Sequence, residues 1–258
     1  MITKTTRINP SATQLGVQLP KLVDIPAGEF WMGCKTGRAD EQPVHRVSVD
    51  AFGMGATTVT NEQYLAFVLE TRGNMPVPLA GESLGHPLQP VVAVNWFEAM
   101  AYCDWLTQRF GQPFRLPTEA EWEWSIRAGL EGKLYAWGDE SPDTFQLYRT
   151  GWHEGCPHVV ALQEPNIYGI YDLGDNVHEW CFDWYEPGYY GKSPSLNPVN
   201  LIPAARRASR GGSWRHHVKV SRCAARSSLS PNFAYTDYGF RVVKAMGEMT
   251  DFTNPAGS

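Results

Sequence analysis

The segment PVVAVNWFEAMAYCDWL (residues 90–106), followed by RLPTEAEWEWSIRAGL (residues 115–130), contains two helix starts. In each, a short polar side chain precedes an acid by three positions, so that each side chain can accept a hydrogen bond from the other's backbone amide. The same pattern occurs once more upstream, and the three pairs are Thr60 with Gln63, Asn95 with Glu98, and Thr118 with Glu121. The sequence therefore predicts two long helices and one short one.

The second predicted helix has a periodic apolar pattern. Phe97, Met100, Ala101 and Trp105 follow the i, i+3, i+4, i+8 spacing, which predicts that they share one buried face. Gly111 marks the predicted end, because glycine adopts the left-handed conformation that commonly follows a helix.

Short strands are predicted on both sides of these helices. Polar and apolar residues partly alternate in PAGEFWMGC (26–34) and VHRVSVDAF (44–52), and RRASRGGSW (206–214) and YGFRVVKA (238–245) are typical of short strands. From Gly129 onward, glycine, proline, asparagine and aspartate interrupt brief apolar runs, which favours loops. The predicted class is α+β, with two or three helices packed on short antiparallel strands and little regular secondary structure.

Composition limits the class of protein. A chain of 258 residues can bury one large core. The net charge is −5 and no long basic run occurs, so a nucleic-acid partner is not expected. The arginines at 206, 207 and 210 are predicted to form a solvated or strand-edge patch.

The sequence divides into three parts: an extended N-terminal arm at 1–22, a module at 23–246 and a flexible tail at 247–258. The first 21 residues lack the apolar core of an export signal, and no run of 18 apolar residues occurs, so no membrane association is expected. Five cysteines at irregular spacings argue against a secreted disulfide framework. A cytoplasmic location is the expectation, and the oligomeric state is left open.

Nine segments together carry a family resemblance. They are FWMG, VTNEQYLAF, PVVAVNWFEAMAYCDWL, RLPTEAEWEWSIRAGL, YAWGDE, PNIYGIYDLGDNVHEW, RGGSW, RCAARS and YGFRVV. In this order, they resemble the sulfatase-modifying-factor family, which includes formylglycine-generating enzymes, the catalytic module of ergothioneine sulfoxide synthases, a pyoverdine-maturation oxidase and retroelement-diversified binding proteins. The resemblance runs from about Pro26 to Val243 and implies a variant of the C-type-lectin fold. That fold hosts both oxidases and binders, so the site must decide the function.

A calcium site is implied by the segment YDLGDNVHEW. Asp172 and Glu179 lie seven residues apart with turn residues between them, and calcium binds six to eight oxygens in proteins. By resemblance, side-chain oxygens come from these two residues and backbone carbonyls from Asp175 and Val177. The predicted role is structural. The alternative is that the two acids cap turns or pair with arginine.

Formylglycine-generating enzymes place two copper-binding cysteines shortly after the RGGS strand. Here no cysteine follows until Cys223. The first position aligns with His216 and the second falls in a short deletion, so peptidyl-cysteine oxidation by the copper route is not expected. The family commonly has tryptophan where this chain has His178, beside the same site.

Two histidines are therefore predicted to converge. Imidazole suits iron, copper and zinc, and a further carboxylate or His217 could complete an open site for Fe2+ or Cu. Ser213, His178 and His216 are the predicted catalytic residues. Against this, adjacent His216 and His217 on a strand would point to opposite faces, and a lone histidine often only satisfies a neighbouring carbonyl.

A second cluster of metal-type side chains stands in GWHEGCPH, with His153, Cys156 and His158. These side chains fit zinc by type. Their close spacing lacks a second pair of ligands, so a loop is predicted there instead.

Two functions from different classes follow. The first is a metal-dependent oxidoreductase that uses O2 on a small molecule or peptide side chain, with Trp214, Arg215, His217 and Tyr235 binding the substrate. The second is a non-catalytic ligand-binding module, in which the exposed stretch from Trp214 to Tyr238 displays aromatic and polar side chains. A third, an accessory subunit of another enzyme, has no particular support in the pattern.

Overall fold

The computed structural model describes residues 20–76, 82–140, 155–172 and 174–245. Apart from residues 20–22, the predicted arm lies outside the described residues, and so do His153 and the predicted tail. Regular structure is sparse, as predicted. The helices are α1 Asn61–Thr71, α2 Trp96–Phe110 and α3 Glu119–Arg127. The strands are β1 Leu22–Ile25, β2 Gly28–Met32, β3 His45–Val49, β4 Phe52–Gly55, β5 Phe114–Arg115, β6 His178–Trp184, β7 Arg207–Arg210, β8 Arg226–Leu229, β9 Tyr238–Gly239 and β10 Val243–Ala245.

The strands form three small sheets. One has the order β1-β4-β10-β5, a second pairs β2 with β3, and a third has the order β8-β7-β6-β9. Strands pair antiparallel except β6 and β9, which run parallel and align His178 with Tyr238. This parallel pair matters for function, because it brings two distant segments of sequence side by side. The α+β prediction is confirmed.

The three predicted helix starts are confirmed. Thr60, Asn95 and Thr118 each accept a hydrogen bond from the amide three residues on, and the side chain at that position accepts one from the capping residue's amide. Gly111 ends α2 in the left-handed conformation, with φ of 64°. No helix among the described residues is long and apolar enough to cross a membrane.

The predicted buried face of α2 is wrong for two of its four residues. Phe97 is 49% exposed and Ala101 is also exposed, whereas Trp105 is buried. The face that packs against the core is shifted by about one position and consists of Trp96, Ala99, Tyr102, Cys103, Trp105 and Leu106. Both faces carry apolar residues, so periodicity alone could not choose between them.

The predicted solvated arginine patch is also wrong for two of its three members. Arg206 is exposed, but Arg207 and Arg210 are buried. Arg207 lies between the rings of Trp96 and Trp184, with its guanidinium carbon 3.6 Å from each ring centroid. Cation–π stacking and ion pairing make such burial tolerable, and neither is visible in local sequence.

Arg210 belongs to a buried ion network that ties α3 to the third sheet. It forms ion pairs with Glu119 and Glu123, and Arg226 on β8 pairs with the other oxygen of Glu119 at 2.7 Å. Arg127 joins through Glu123 at 2.8 Å. The network holds β7 in place, and the chain that leaves β7 forms the candidate site.

Candidate active site

His178 is the first residue of β6 and is 2% exposed. Its amide donates to the carbonyl of Asp237 at 2.9 Å, because β6 and β9 pair in parallel at this point. The pairing places the side chain of Asp237 beside the imidazole. Asp237 itself is buried.

Residues 214–216 form a turn rather than the predicted continuation of a strand. The strand ends at Arg210 because Gly211 takes a positive φ of 77°. The amide of His216 then donates to the carbonyl of Ser213 at 3.0 Å. His217 starts the next short 3-10 turn, where its Nδ1 accepts from the Lys219 amide at 3.2 Å. Of the two adjacent histidines, His216 is the one that reaches His178.

Four polar side chains meet at this point. Nε2 of His178 lies 2.8 Å from Nδ1 of His216. The Ser213 hydroxyl lies 3.2 Å from the same Nδ1 and donates to Oδ2 of Asp237, also at 3.2 Å. The potential ligand atoms of His178, His216 and Asp237 all lie within 4.8 Å of one another. We call these three residues the histidine–aspartate cluster.

The cluster fits a transition-metal ion by its chemistry. Two imidazoles bound at right angles to one ion, with bonds of about 2.1 Å, would have nitrogens about 3 Å apart, close to the 2.8 Å between His178 and His216. Burial, and then repulsion from His216, lower the pKa of His178 to about 4. His178 is therefore neutral near pH 7, as a metal ligand must be. The His216 side chain is 46% exposed, which leaves one side of the cluster open to solvent.

Asp237 is the member that sequence reasoning placed elsewhere, as part of an exposed recognition surface. Its position just before YGF was the available signal, since that segment carries the family resemblance. What the sequence did not supply was the parallel pairing that sets β9 beside β6. Two-residue strands such as Tyr238–Gly239 are too short to be paired by pattern.

Aromatic rings support the cluster from the interior. The Tyr238 ring centroid lies 4.9 Å from that of His178, and the Trp180 ring lies 5.0 Å from Tyr238. The Trp180 Nε1 donates to the carbonyl of Val94 at 3.0 Å. Trp180 is fully buried. It therefore fixes the Tyr238 ring, against which the imidazole of His178 packs.

The predicted substrate-binding residues divide into two groups. Trp214, Arg215 and Tyr235 lie at the edge of the cluster: Arg215 Nη1 is 3.7 Å from Oδ1 of Asp237, and the Tyr235 ring contacts Tyr238 edge-on at 6.3 Å. His217, in contrast, turns to the backbone of its own turn. Its substrate-binding role stays a prediction.

The copper–cysteine chemistry of the resembled family does not fit this chain. None of the five cysteines forms a disulfide. Cys223, the nearest after the RGGS segment, is fully buried, and burial raises the pKa of its thiol to about 12. A copper–thiolate pair needs two cysteines, and Cys223 is the one cysteine that follows RGGS.

The predicted calcium segment makes other contacts. Glu179 accepts two hydrogen bonds from Arg241 at 2.6 Å and one from Trp122 at 2.8 Å. These contacts match the alternative reading, in which the acid pairs with arginine. The carboxylate of Glu179 therefore does not fit a calcium ion as it stands. The calcium site stays a prediction.

Asp172 and Asp175 face His158, which sequence reasoning left in a loop. The His158 imidazole lies 3.9 Å from Asp172 and 3.5 Å from Asp175. Burial acts to lower the pKa of His158, but the facing carboxylates raise it to about 9. The buried Val177 follows in the same turn. The acids of this segment thus face a histidine and an arginine.

A chelator experiment tests whether the segment needs calcium. Because Arg241 and His158 already face the acids, we expect excess Ca2+, added to protein first freed of all metals with EDTA, to shift the melting temperature by less than about 1 °C. An ion that binds only the folded state, present at 100 times its Kd, would add about 2.7 kcal/mol to the free energy of unfolding. Such a gain raises the melting temperature by several degrees. A rise of that size with Ca2+ but not Mg2+, lost in Asp172→Asn, would restore the calcium assignment.

Comparisons with known proteins agree with the resemblance. The family profile described as "Sulfatase-modifying factor enzyme 1-like domain" matches residues 7–246. A formylglycine-generating enzyme of Streptomyces coelicolor is 34% identical, over 85% of this chain and 87% of that protein. A mouse protein named inactive C-alpha-formylglycine-generating enzyme 2 is 30% identical, over 91% and 89%. The structure of PvdO from Pseudomonas aeruginosa aligns with a TM-score of 0.76 at 27% identity, covering 88% and 95% of the two chains.

Proposed function

Because the chain belongs to the sulfatase-modifying factor enzyme 1-like family, we propose that it is a metal-dependent oxidoreductase that uses O2. Its fold is the formylglycine-generating-enzyme variant of the C-type-lectin architecture. The proposed substrate is a small molecule or a peptide side chain. Peptidyl-cysteine oxidation by a copper–thiolate pair is not proposed, since the cysteines that it requires do not follow the RGGS segment.

The observation that carries the proposal is the histidine–aspartate cluster. Two imidazoles and one carboxylate, with ligand atoms within 4.8 Å, are the donor set of many non-heme iron sites that react with oxygen. A bound iron or copper ion would supply the redox chemistry with O2 that these side chains lack. The open side at His216 leaves room for a substrate.

The chain's own residues would fix the ligands and the proton positions. Asp237 is held by the Ser213 hydroxyl, so its carboxylate is oriented toward the histidines. The oxygen of the same hydroxyl lies 3.2 Å from His216 Nδ1. When no ion is bound, it can accept a hydrogen bond from a protonated Nδ1. His178 is held by its backbone pairing to Asp237 and by the Tyr238 ring. Such supporting contacts commonly change metal affinity 10- to 100-fold.

Metal analysis tests the proposal. Protein freed of metals with a chelator is mixed, under an oxygen-free atmosphere, with one equivalent of Fe(II) or Cu(II). It is then desalted and analysed for metals. We expect the unaltered chain to keep about one ion, and His178→Ala, His216→Ala and Asp237→Asn to bind at least about 100-fold more weakly, since each loses a ligand. His217→Ala is the matched control for metal content, because its ring accepts from the Lys219 amide instead.

Oxygen consumption is then measured on the loaded protein with amine, thiol and catechol compounds. Uptake that requires both the ion and His216 supports an oxidase. Failure of the unaltered protein to retain either ion, or equal retention by His216→Ala, would overturn the metal site. The non-catalytic alternative would then be preferred.

That alternative, a ligand-binding module, has an observation of its own. Phe233 and Tyr235 are 52% and 48% exposed, and Arg215, also exposed, donates to the neighbouring Thr236. Large aromatic side chains in solvent, beside charged ones, are typical of recognition surfaces. Binding that persists in His178→Ala protein, without oxygen uptake in any form, favours this second function.

A further inference from the structure

A cation and two exposed rings line the open side of the histidine–aspartate cluster. We call this surface the rim and define it by Trp214, Arg215, Phe233 and Tyr235. The Arg215 side chain is 47% exposed. Its guanidinium carbon lies 5.4 Å from the centroid of the Trp214 ring.

Arg215 is positioned to bind an anion. Its polar contacts with the described residues run through Nη1, which donates to Oγ1 of Thr236 at 3.3 Å and lies 3.7 Å from Asp237. The guanidinium has further N–H groups, and the side chain is half in solvent. A planar guanidinium with donors left on one edge matches the two oxygens of a carboxylate.

The rings extend from the cluster into solvent. The Tyr238 ring contacts His178 at 4.9 Å and Tyr235 at 6.3 Å. The Phe233 ring lies 6.1 Å from Tyr235. The ring contacts therefore run from His178 through Tyr238 to Tyr235, and an aromatic ring placed on Tyr235 would extend this series.

Backbone and side-chain contacts hold the two halves of the rim together. Trp214 Nε1 donates to the carbonyl of Thr236 at 3.4 Å, next to Tyr235 in sequence. The carbonyl of Tyr235 accepts from the amides of Ala93 at 3.1 Å and Tyr238 at 3.0 Å. The guanidinium and the rings are thus fixed relative to each other, which reduces the entropy lost on binding.

From this arrangement we infer that the rim binds an aromatic carboxylate, with the carboxylate on Arg215 and the ring on Tyr235. The inference rests on the proposed function for the ligand's role as a substrate, but the binding itself needs no metal. Both contributing groups are about half exposed, at 47% for the Arg215 side chain and 48% for Tyr235. We therefore expect a Kd for a minimal probe in the millimolar range, roughly −4 kcal/mol.

Three probes separate the two contributions: benzoate carries both ring and charge, acetate only the charge, and benzyl alcohol only the ring. Ligand-observed NMR titration of chelator-treated protein gives each Kd. We expect benzoate to bind at least about tenfold more tightly than either of the others. Arg215→Ala should remove that advantage, Arg215→Lys should keep part of it because the charge stays but the planar fork is lost, and Tyr235→Ala should weaken benzoate but not acetate.

Two exposed residues elsewhere provide matched controls. Arg46 is an exposed arginine in a surface ion pair with Glu29, and Phe110 is 45% exposed at the end of α2. Arg46→Ala and Phe110→Ala should leave the benzoate Kd unchanged. Equal affinity for benzoate and acetate, or benzoate binding that survives Arg215→Ala, would overturn the inference. Because the protein is metal-free in this assay, failure to bind benzoate as expected would not contradict the oxidoreductase proposal. Failure to retain metal in the earlier assay would likewise not contradict carboxylate binding at the rim.

Discussion

Replacing Glu123 by alanine is expected to lower the free energy of unfolding by about 3–5 kcal/mol, since removing one partner of a buried ion network leaves an uncompensated charge. Glu123 is fully buried. It accepts from Arg127 at 2.8 and 2.9 Å, from the Gly33 amide at 3.0 Å and from Arg210. In the variant, Arg210 would keep Glu119, but Arg127 would lose its paired acid.

Urea denaturation followed by tryptophan fluorescence measures the change. Glu29→Ala is the control, because Glu29 also pairs with an arginine but is half exposed, and solvent screening leaves exposed pairs with little effect on stability. Burial raises the pKa of Glu123, while Arg127 and Arg210 lower it below the ordinary value. Its stabilisation is thus present above the ordinary glutamate pKa and lost as the pH falls through the folded value. Equal losses of unfolding free energy in the two variants would show that the ion network is not the main interaction that holds α3 against β7.

Gly212→Ala is expected to destabilise the protein by about 3 kcal/mol, the upper part of the range for overpacked sites. A Cβ at Gly212 would lie 2.2 Å from Oγ of Ser221 and 2.6 Å from the carbonyl of Gly174. That carbonyl accepts from the Gly212 amide at 2.8 Å, so the two chain segments cannot separate without losing the contact. The residue that follows is Ser213, so the shift also reaches the histidine–aspartate cluster.

The matched control is Gly188→Ala. Gly188 has a φ of −87°, which any residue can adopt, and an added Cβ there meets nothing within 4 Å. We expect this control to change stability by less than about 0.5 kcal/mol. Unfolding free energy and metal content are measured on both variants. A Gly212→Ala protein that is as stable and binds metal as tightly as the unaltered chain would contradict the close packing at this position.

Features of the fold were predictable from sequence where they depend on contacts between residues a few positions apart. The three helix starts depend on a side chain three positions away, a distance that sequence spacing gives directly. The face that α2 buries depends instead on what packs against it, and there Trp96 is buried where Phe97 was predicted to be. The same holds for Arg207, whose burial depends on two tryptophans that are distant in sequence.

The candidate site shows the same division. Departures from the resembled family at two positions drew attention to His178 and His216, and the structure places their nitrogens 2.8 Å apart. Asp237 could not be added from sequence, because its place depends on a two-residue parallel pairing. The strand predicted for residues 206–214 ends at Arg210 instead, since the turn after it depends on close packing of Gly211 against Gly174 and Trp122.

The sequence by itself determined the family, the α+β class, the helix starts and the absence of the cysteine pair after RGGS, because these depend on residue identity, order and short spacings. The tertiary structure alone decided which carboxylate joins the histidines, which arginines are buried and which acids are already paired. Those outcomes depend on contacts between residues separated by tens to hundreds of positions, as between Glu123 and Arg210. The energies of such contacts come from burial and charge compensation, which no local pattern encodes.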